Sequence, residues 1–271
     1  MQKKKRPLKI LFFGLGSIGQ RHLQLLKKLP QGNFDIYSFR SGKGMAPTPA
    51  KVKALYNWSE VAKAAPDIAF ICNPTALHTQ TALRCARLHM DLFIEKPIDS
   101  STKGLSRLQK EIKARGLTAY VAYPLRFHPA VIKTKKLLAQ YGGEKSLHAR
   151  CVVSSHLPHS RQSKNHKNDY SAQKALGGGV ILDLSHEFDL IHYLFGECKN
   201  LKGSAGRLTN TTLDTEDYAD CLLKAGHTQV NLHMNFFAPH EERTVEISGE
   251  NFFLKLDIMK STVLFRTKTQ E

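Results

Sequence analysis

The sequence predicts an α/β chain: an N-terminal doubly wound parallel sheet, then an α+β domain with a mostly antiparallel open sheet. Three observations predict it. The apolar run Ile10-Leu11-Phe12-Phe13 enters Gly14-Leu15-Gly16-Ser17-Ile18-Gly19, which opens a helical stretch. Strand and helix signals then alternate as far as residue 123. Beyond it the chain turns to short strand-like runs with few helices.

The first strand, 9–13, and the helix over 17–28 flank a G-x-G-x-x-G turn. In that context the glycines read as a dinucleotide fingerprint. Gly14 permits the tight turn, Gly16 lets backbone approach a pyrophosphate, and Gly19 lets the helix pack on the strand. The helix start, at Ser17 and Ile18, offers N–H groups to phosphate. The bare alternative is a glycine-rich turn without a ligand.

A second strand spans 34–39 and a Gly/Pro-rich loop 41–50; Ser59 is the expected cap of the next helix. Residues 67–72 read as a buried strand closed by Asn73-Pro74, 79–89 as helix, 91–95 as strand, 101–115 as helix and 117–123 as strand. Residues 1–122 form the expected dinucleotide-binding domain. In the remainder, 123–271, a helix over 129–141 ends at Gly142-Gly143 and a strand spans 147–154. A His- and Ser-rich loop occupies 156–175, and Gly177-Gly178-Gly179 introduces a helix to about Phe195. Strand-like runs follow at 217–224, 228–237, 242–248, 251–258 and 261–266.

Composition narrows the function. The 271 residues are 41% hydrophobic and 23% charged, as in ordinary globular proteins. No apolar run is long enough to span a membrane. Lys3-Lys4-Lys5-Arg6 imitates the start of a signal peptide, but the apolar run after it is the nucleotide strand and no small-residue cleavage site follows. Five scattered cysteines form no C-x-x-C; they argue for buried thiols in a reducing cytoplasm and against a disulfide framework or zinc site. The net charge of +17 would suit nucleic acid, yet only the first residues form a dense basic run and no nucleic-acid motif accompanies it. A basic surplus equally suits a phosphorylated cofactor and an anionic substrate.

Several segments in order resemble the Gfo/Idh/MocA family of NAD(P)-dependent oxidoreductases. They are Gly14 to His22, Ile71-Cys72-Asn73-Pro74-Thr75-Ala76-Leu77-His78, Phe93-Ile94-Glu95-Lys96-Pro97, Tyr123-Pro124-Leu125-Arg126-Phe127-His128-Pro129, and Gly177 to Asp189. Within the family the chain looks like the subgroup associated with bacterial surface-sugar pathways, where Leu182-Asp183-Leu184-Ser185-His186-Glu187 is familiar. The chain ends at Glu271, earlier than is usual in the family.

The resemblance implies an NAD(P)-binding Rossmann domain and a second domain for substrate binding and oligomerisation. It implies hydride transfer between a nicotinamide and a hydroxyl-bearing carbon of a sugar or nucleotide-sugar. Lys96 would lie near the reacting carbon, its ammonium stabilising an alkoxide or exchanging a proton; family members often have a cis bond before Pro97. His186 would be the general acid/base, with Asp183 orienting it or contacting sugar hydroxyls. Asp183 and His186, three apart, would share one helix face. The family pattern usually has them four apart, with a further Asp three after the His; here only His186 and Asp189 keep that spacing. Without the motif, the pair reads as a helix-packing aspartate and a core histidine.

Asn73, Pro74, His78, Glu95 and Lys96 join the fingerprint as expected cofactor-binding residues. At the end of the second strand Asp35 comes too early to hold a ribose 2′-OH, whereas Arg40 and Ser41 could hold a 2′-phosphate. NADP(H) is therefore expected over NAD(H). Tyr123, Arg126, His128 and Tyr170, with His156, His159, Arg161 and His166 of the loop, are the further substrate candidates; no metal site is expected. A homodimer or homotetramer is expected from the family's open sheets, and neither a nucleic-acid nor a membrane partner. The alternative function is a non-catalytic NAD(P)-binding sensor on the same fold.

Overall fold

The structure, a computed structural model, describes residues 6–30, 32–40, 42, 47–143, 147–155, 177–209 and 214–268. The chain divides into two compact units, Met1–Ala122 and Tyr123–Glu271.

In the first unit the order is β1 (Leu8–Phe13), α1 (Ser17–Lys27), β2 (Phe34–Phe39), β3 (Val52–Leu55), α2 (Trp58–Ala64), β4 (Ile68–Ile71), α3 (His78–Arg87), β5 (Asp91–Ile94), α4 (Leu105–Ala114) and β6 (Ala119–Val121). The six strands lie in the order β3-β2-β1-β4-β5-β6, all parallel. This is the doubly wound sheet expected, with its topological switch between β1 and β4. Side chains alternate across a strand. Ile10 and Phe12 therefore enter one core with Leu23 of α1, Ile36 and Phe70. Leu11 and Phe13 enter the opposite core with Val61, Ala82 and Leu108. A strand buried on both faces must be apolar throughout, which is why β1 reads as an unbroken run.

Two local expectations are corrected here. β3 was not anticipated: four residues after a loop give too short a pattern to read. The cap of α2 is Asn57, not Ser59. Asn57 Oδ1 accepts the Glu60 N–H at 2.9 Å, and Glu60 reaches back to accept the Tyr56 N–H at 2.7 Å.

The second unit contains α5 (Pro129–Tyr141), β7 (Leu147–Ser154), α6 (Val180–Asp183), α7 (His186–Phe195), β8 (Cys198–Gly206), β9 (Tyr218–Ala225), β10 (Thr228–Asn235), β11 (Glu242–Ser248), β12 (Phe252–Asp257) and β13 (Thr262–Thr267). Its sheet runs β13-β12-β11-β7-β10-β9-β8 and is antiparallel except for the β7–β10 pair. Leu137 and Leu138 of α5 and Leu190, Ile191 and Leu194 of α7 share the buried core with its inner face. β8 was missed because it is an exposed edge strand; its Lys199, Lys202 and Gly203 carry no apolar alternation, and a bulge separates the two lysines.

The helix expected from Gly179 to Phe195 is two helices. Between Ser185 and Glu187 the main chain bonds at i−3 spacing: Ser185 N–H donates to Leu182 O at 3.4 Å and Glu187 N–H to Leu184 O at 3.0 Å. Asp183 therefore closes α6 while His186 opens α7, and the shared-face spacing expected of one regular helix does not apply.

Candidate functional site

The three fingerprint glycines are needed for three different reasons. Gly14 has φ +91°, and a Cβ there would strike the Cys72 carbonyl at the end of β4. A Cβ on Gly19 would strike the Gly14 carbonyl, so this glycine sets the approach of α1 to the turn. Gly16 has φ −68°, which any residue adopts, and a Cβ there would meet no heavy atom within 4 Å. Neither conformation nor packing calls for glycine at 16; what its absent side chain provides is open space. Beside it α1 begins without a side-chain cap and without an acidic residue in its first turn, leaving the amides of Ser17 and Ile18 and the positive dipole end for an anion.

A cleft of about 600 Å³ opens at this turn. Gly14, Leu15 and Gly16 form one side, Ser38, Phe39 and Arg40 the end of β2, and Asn73 and Pro74 the end of β4. Trp58 of α2 and Leu77, Gln80, Thr81 and Arg84 complete it. Two buried polar atoms in this wall, Ser38 Oγ and Asn73 Oδ1, have no protein hydrogen-bond partner. Asn73 is fixed by donating from Nδ2 to Thr81 Oγ1 at 3.0 Å. Open space, free amides and unpartnered polar atoms converge, so the residues present fit a dinucleotide. Asp35 lies at the other end of β2 from Arg40, with its carboxylate 3.6 Å from Lys53 Nζ.

The Glu95-Lys96-Pro97 corner follows β5. Lys96 is half-buried, and the Lys96–Pro97 peptide is cis. Glu95 is turned inward: its Oε1 lies 2.6 Å from His22 Nε2, and its Oε2 accepts the Lys96 N–H at 3.2 Å. His78 is buried, its Nδ1 2.9 Å from Pro97 O and its Nε2 2.8 Å from Asn73 O. Both rings thus tie the corner to neighbouring segments, and neither Glu95 nor His78 lines the cleft. Asp99 adds a further tie by accepting the Thr79 N–H of α3 at 3.0 Å. Burial, and then the charge of Glu95, push the Cys72 thiol well above its ordinary range, which removes Cys72 as a nucleophile.

In the second unit Tyr123 and His186 meet edge to face, with ring centroids 5.6 Å apart. Gly179, at φ +108°, leaves room for Glu216, whose carboxylate accepts the Ile181 N–H at 3.2 Å at the start of α6. Arg126 forms a forked pair with Asp189, Nε to Oδ2 at 2.9 Å and a terminal nitrogen to Oδ1 at 2.5 Å. His128 Nε2 lies 3.2 Å from Ser261 Oγ. Ser41 and Tyr170, with His156, His159, Arg161 and His166, lie outside the described residues. Among the described residues no three His, Cys, Asp or Glu side chains gather into a metal-ligating group, and no helix is long and apolar enough to cross a membrane.

Sequence reasoning assigned no role to His22, Trp58, Gln80, Thr81 or Arg84. The last three were legible in principle: with Leu77 they recur at three- and four-residue spacing, which puts them on one face of a helix. His22 and Trp58 carried no such signal.

Residues 8–123 match the family model described as oxidoreductase family, NAD-binding Rossmann fold, and residues 133–254 match that of the GFO/IDH/MocA C-terminal domain. The fold is thus that of a family of NAD-binding oxidoreductases. The chain belongs to the GFO/IDH/MocA family. It is 28% identical over 190 residues to the oxidoreductase YrbE of Bacillus subtilis, covering 68% of this chain and 52% of that protein. It is 25% identical over 218 residues to scyllo-inositol 2-dehydrogenase (NAD(+)) of the same organism, covering 76% and 59%. The chain therefore spans little more than half the length of these curated relatives. Among solved structures it resembles the WlbA dehydrogenase of Bordetella pertussis, in complex with NADH and UDP-GlcNAcA, with a TM-score of 0.82 at 15% identity over 97% of this chain and 78% of that one.

Proposed function

We propose that this chain is an NADP(H)-dependent oxidoreductase acting on a hydroxyl-bearing carbon of a sugar or nucleotide-sugar, in surface-glycan synthesis. The observation that carries the reading is the cleft at the β1–β4 switch, lined by Gly16 at the start of α1 and by Arg40, with no carboxylate among its described lining residues. An NAD site ordinarily places a carboxylate on the ribose hydroxyls; here a guanidinium stands at that end, suited to a 2′-phosphate. The inositol dehydrogenases among the relatives similar in sequence support a polyhydroxylated substrate.

A bound nicotinamide supplies the acceptor or donor of hydride. The chain's own task is then to position the substrate carbon and manage the hydroxyl proton. We assign to Lys96 Nζ stabilisation of the alkoxide or exchange of its proton. His186 is the general acid/base and Asp183 its orienting or hydroxyl-binding partner. Gly14, Gly16, Ser17, Ile18, Gly19, Arg40, Asn73 and Pro74 are assigned to the cofactor, and Tyr123, Arg126 and His128 to the substrate side. Glu95 and His78 act by holding the Lys96 corner. A cytoplasmic homodimer or homotetramer completes the proposal.

Titration with NADPH and with NADH, followed by nicotinamide fluorescence, tests it. A preference for NADPH supports the assignment, and a preference for NADH overturns the cofactor choice. Binding of neither favours a non-catalytic member of the family. Given a turning-over substrate, Lys96→Ala and His186→Ala should each lower kcat well beyond any loss of cofactor affinity; near-normal turnover in both sinks the catalytic assignment.

A further inference from the structure

We infer that Arg84 is a second cationic arm for the cofactor's 2′-phosphate, held in place by Trp58; the inference rests on the NADP(H) reading above. Arg84 projects from α3 into the same cleft as Arg40. Its guanidinium carbon lies 5.2 Å from the centroid of the Trp58 ring. That ring stacks on Phe13 at 5.3 Å and lies 5.4 Å from Phe39, the residue before Arg40. An aromatic bridge thus runs from the end of β2 to Arg84. Arg40 is fixed from the other side, its N–H donating to Leu55 O at 2.8 Å.

The partners of neighbouring arginines sharpen the contrast. Arg87, one turn further along α3, lies 3.3 Å from Glu111, and Arg115 lies 3.0 Å from the same carboxylate. Among the described residues Arg84 has no carboxylate within ion-pair distance. A guanidinium held over an indole by a cation–π contact spends none of its N–H groups on it, and those groups suit a phosphate fork. Arg40 and Arg84 both line the cleft, and no acidic residue stands among its described lining residues, so an anion bound there meets two cationic side chains. The 2′-phosphate of NADP(H) is such an anion, and NAD(H) lacks it.

The test is calorimetric titration of the full chain with adenosine 2′,5′-bisphosphate and with adenosine 5′-monophosphate, which differ only in the 2′-phosphate. Wild type should prefer the bisphosphate. Arg84→Ala should cut that preference about tenfold or more, as expected for a lost charged hydrogen bond, and Arg84→Lys should restore only part of it. Arg84 is exposed, at the cleft rather than in the core, so the substitution leaves the core intact, and the melting midpoint checks this. Equal loss of both ligands assigns Arg84 to the adenosine and overturns the proposal. So does an unchanged preference in Arg84→Ala when Arg40→Ala abolishes it, which leaves the NADP(H) reading standing. A wild type without preference for the bisphosphate overturns that reading and Arg84's role together.

Discussion

His22 Nε2 lies 2.6 Å from Glu95 Oε1, so the helix that begins at the glycine turn grips the carboxylate beside Lys96. The contact is largely shielded, with the two side chains 17% and 11% exposed. The His22 ring is also set edge-on against Phe93 at 5.0 Å. Removing one partner of a shielded pair leaves the other without its hydrogen bond. His22→Ala should therefore lower unfolding free energy by about 1–3 kcal/mol, read from urea denaturation. His22→Gln, which keeps a donor, should recover part of the loss. A change in His22→Ala below about 0.5 kcal/mol, the ordinary surface range, would show that the contact does not matter to the fold.

Gly16 and Gly19 separate binding from folding. Gly16→Ala adds a methyl group to open space at an ordinary φ, so stability should hold within about 0.5 kcal/mol. Cofactor affinity should fall at least tenfold, because the backbone can no longer approach the pyrophosphate as closely. Gly19→Ala drives a methyl into the Gly14 carbonyl and should cost about 1–3 kcal/mol of stability. Comparing thermal melts with NADPH titrations of the two variants checks both. Unchanged affinity in Gly16→Ala would mean that the open space is not the pyrophosphate site.

Most of the first unit was legible because its signals are local. The unbroken apolar run of β1, the glycines and the strand–helix alternation each report a physical demand made within a few residues. What was missed answers to distant partners. β8 is an edge strand stabilised by pairing with β9 rather than by burial, so its sequence carries no period. The break at Leu184-Ser185 lies in a stretch that reads as continuous helix, yet beyond it Glu187 turns inward and meets Arg243 on β11 at 3.0 Å. The cleft's far wall joins residues from α2 and α3 that sequence places some twenty-six positions apart, so Trp58 and Arg84 announce nothing until the fold brings them together.

The thiols make a chemical test of burial. All five cysteines are free; Cys72, Cys85, Cys151 and Cys221 are buried, and burial pushes each thiol above its ordinary range. A thiol that stays protonated and inaccessible reacts slowly with a disulfide reagent. Native protein at pH 8 should label first at Cys198, which is half-buried, while Cys72, Cys85 and Cys151 should react only after unfolding. Peptide mapping after brief labelling checks the order. Rapid native modification of Cys72 would contradict its placement beneath the glycine turn.

Glu187 gives the second unit a pH dependence whose sign follows from its surroundings. Its side chain is only 3% exposed, and burial raises its pKa more than the nearby Arg243 guanidinium lowers it. A carboxyl with a raised folded value binds its proton more tightly in the native state than in the unfolded chain. Its contribution to stability is therefore fully present below the ordinary value of 4.5 and is lost as pH rises through the folded value. Glutamine cannot ionise but can still accept from Arg243. The stability of Glu187→Gln relative to wild type should thus increase with pH, by no more than about 1.4 kcal/mol per pH unit within that window. Urea midpoints for both proteins at pH 5 and pH 8 measure it. Because every other titrating group is common to the two chains, a constant offset across that range would mean that Glu187 is no harder to ionise in the folded protein than outside it.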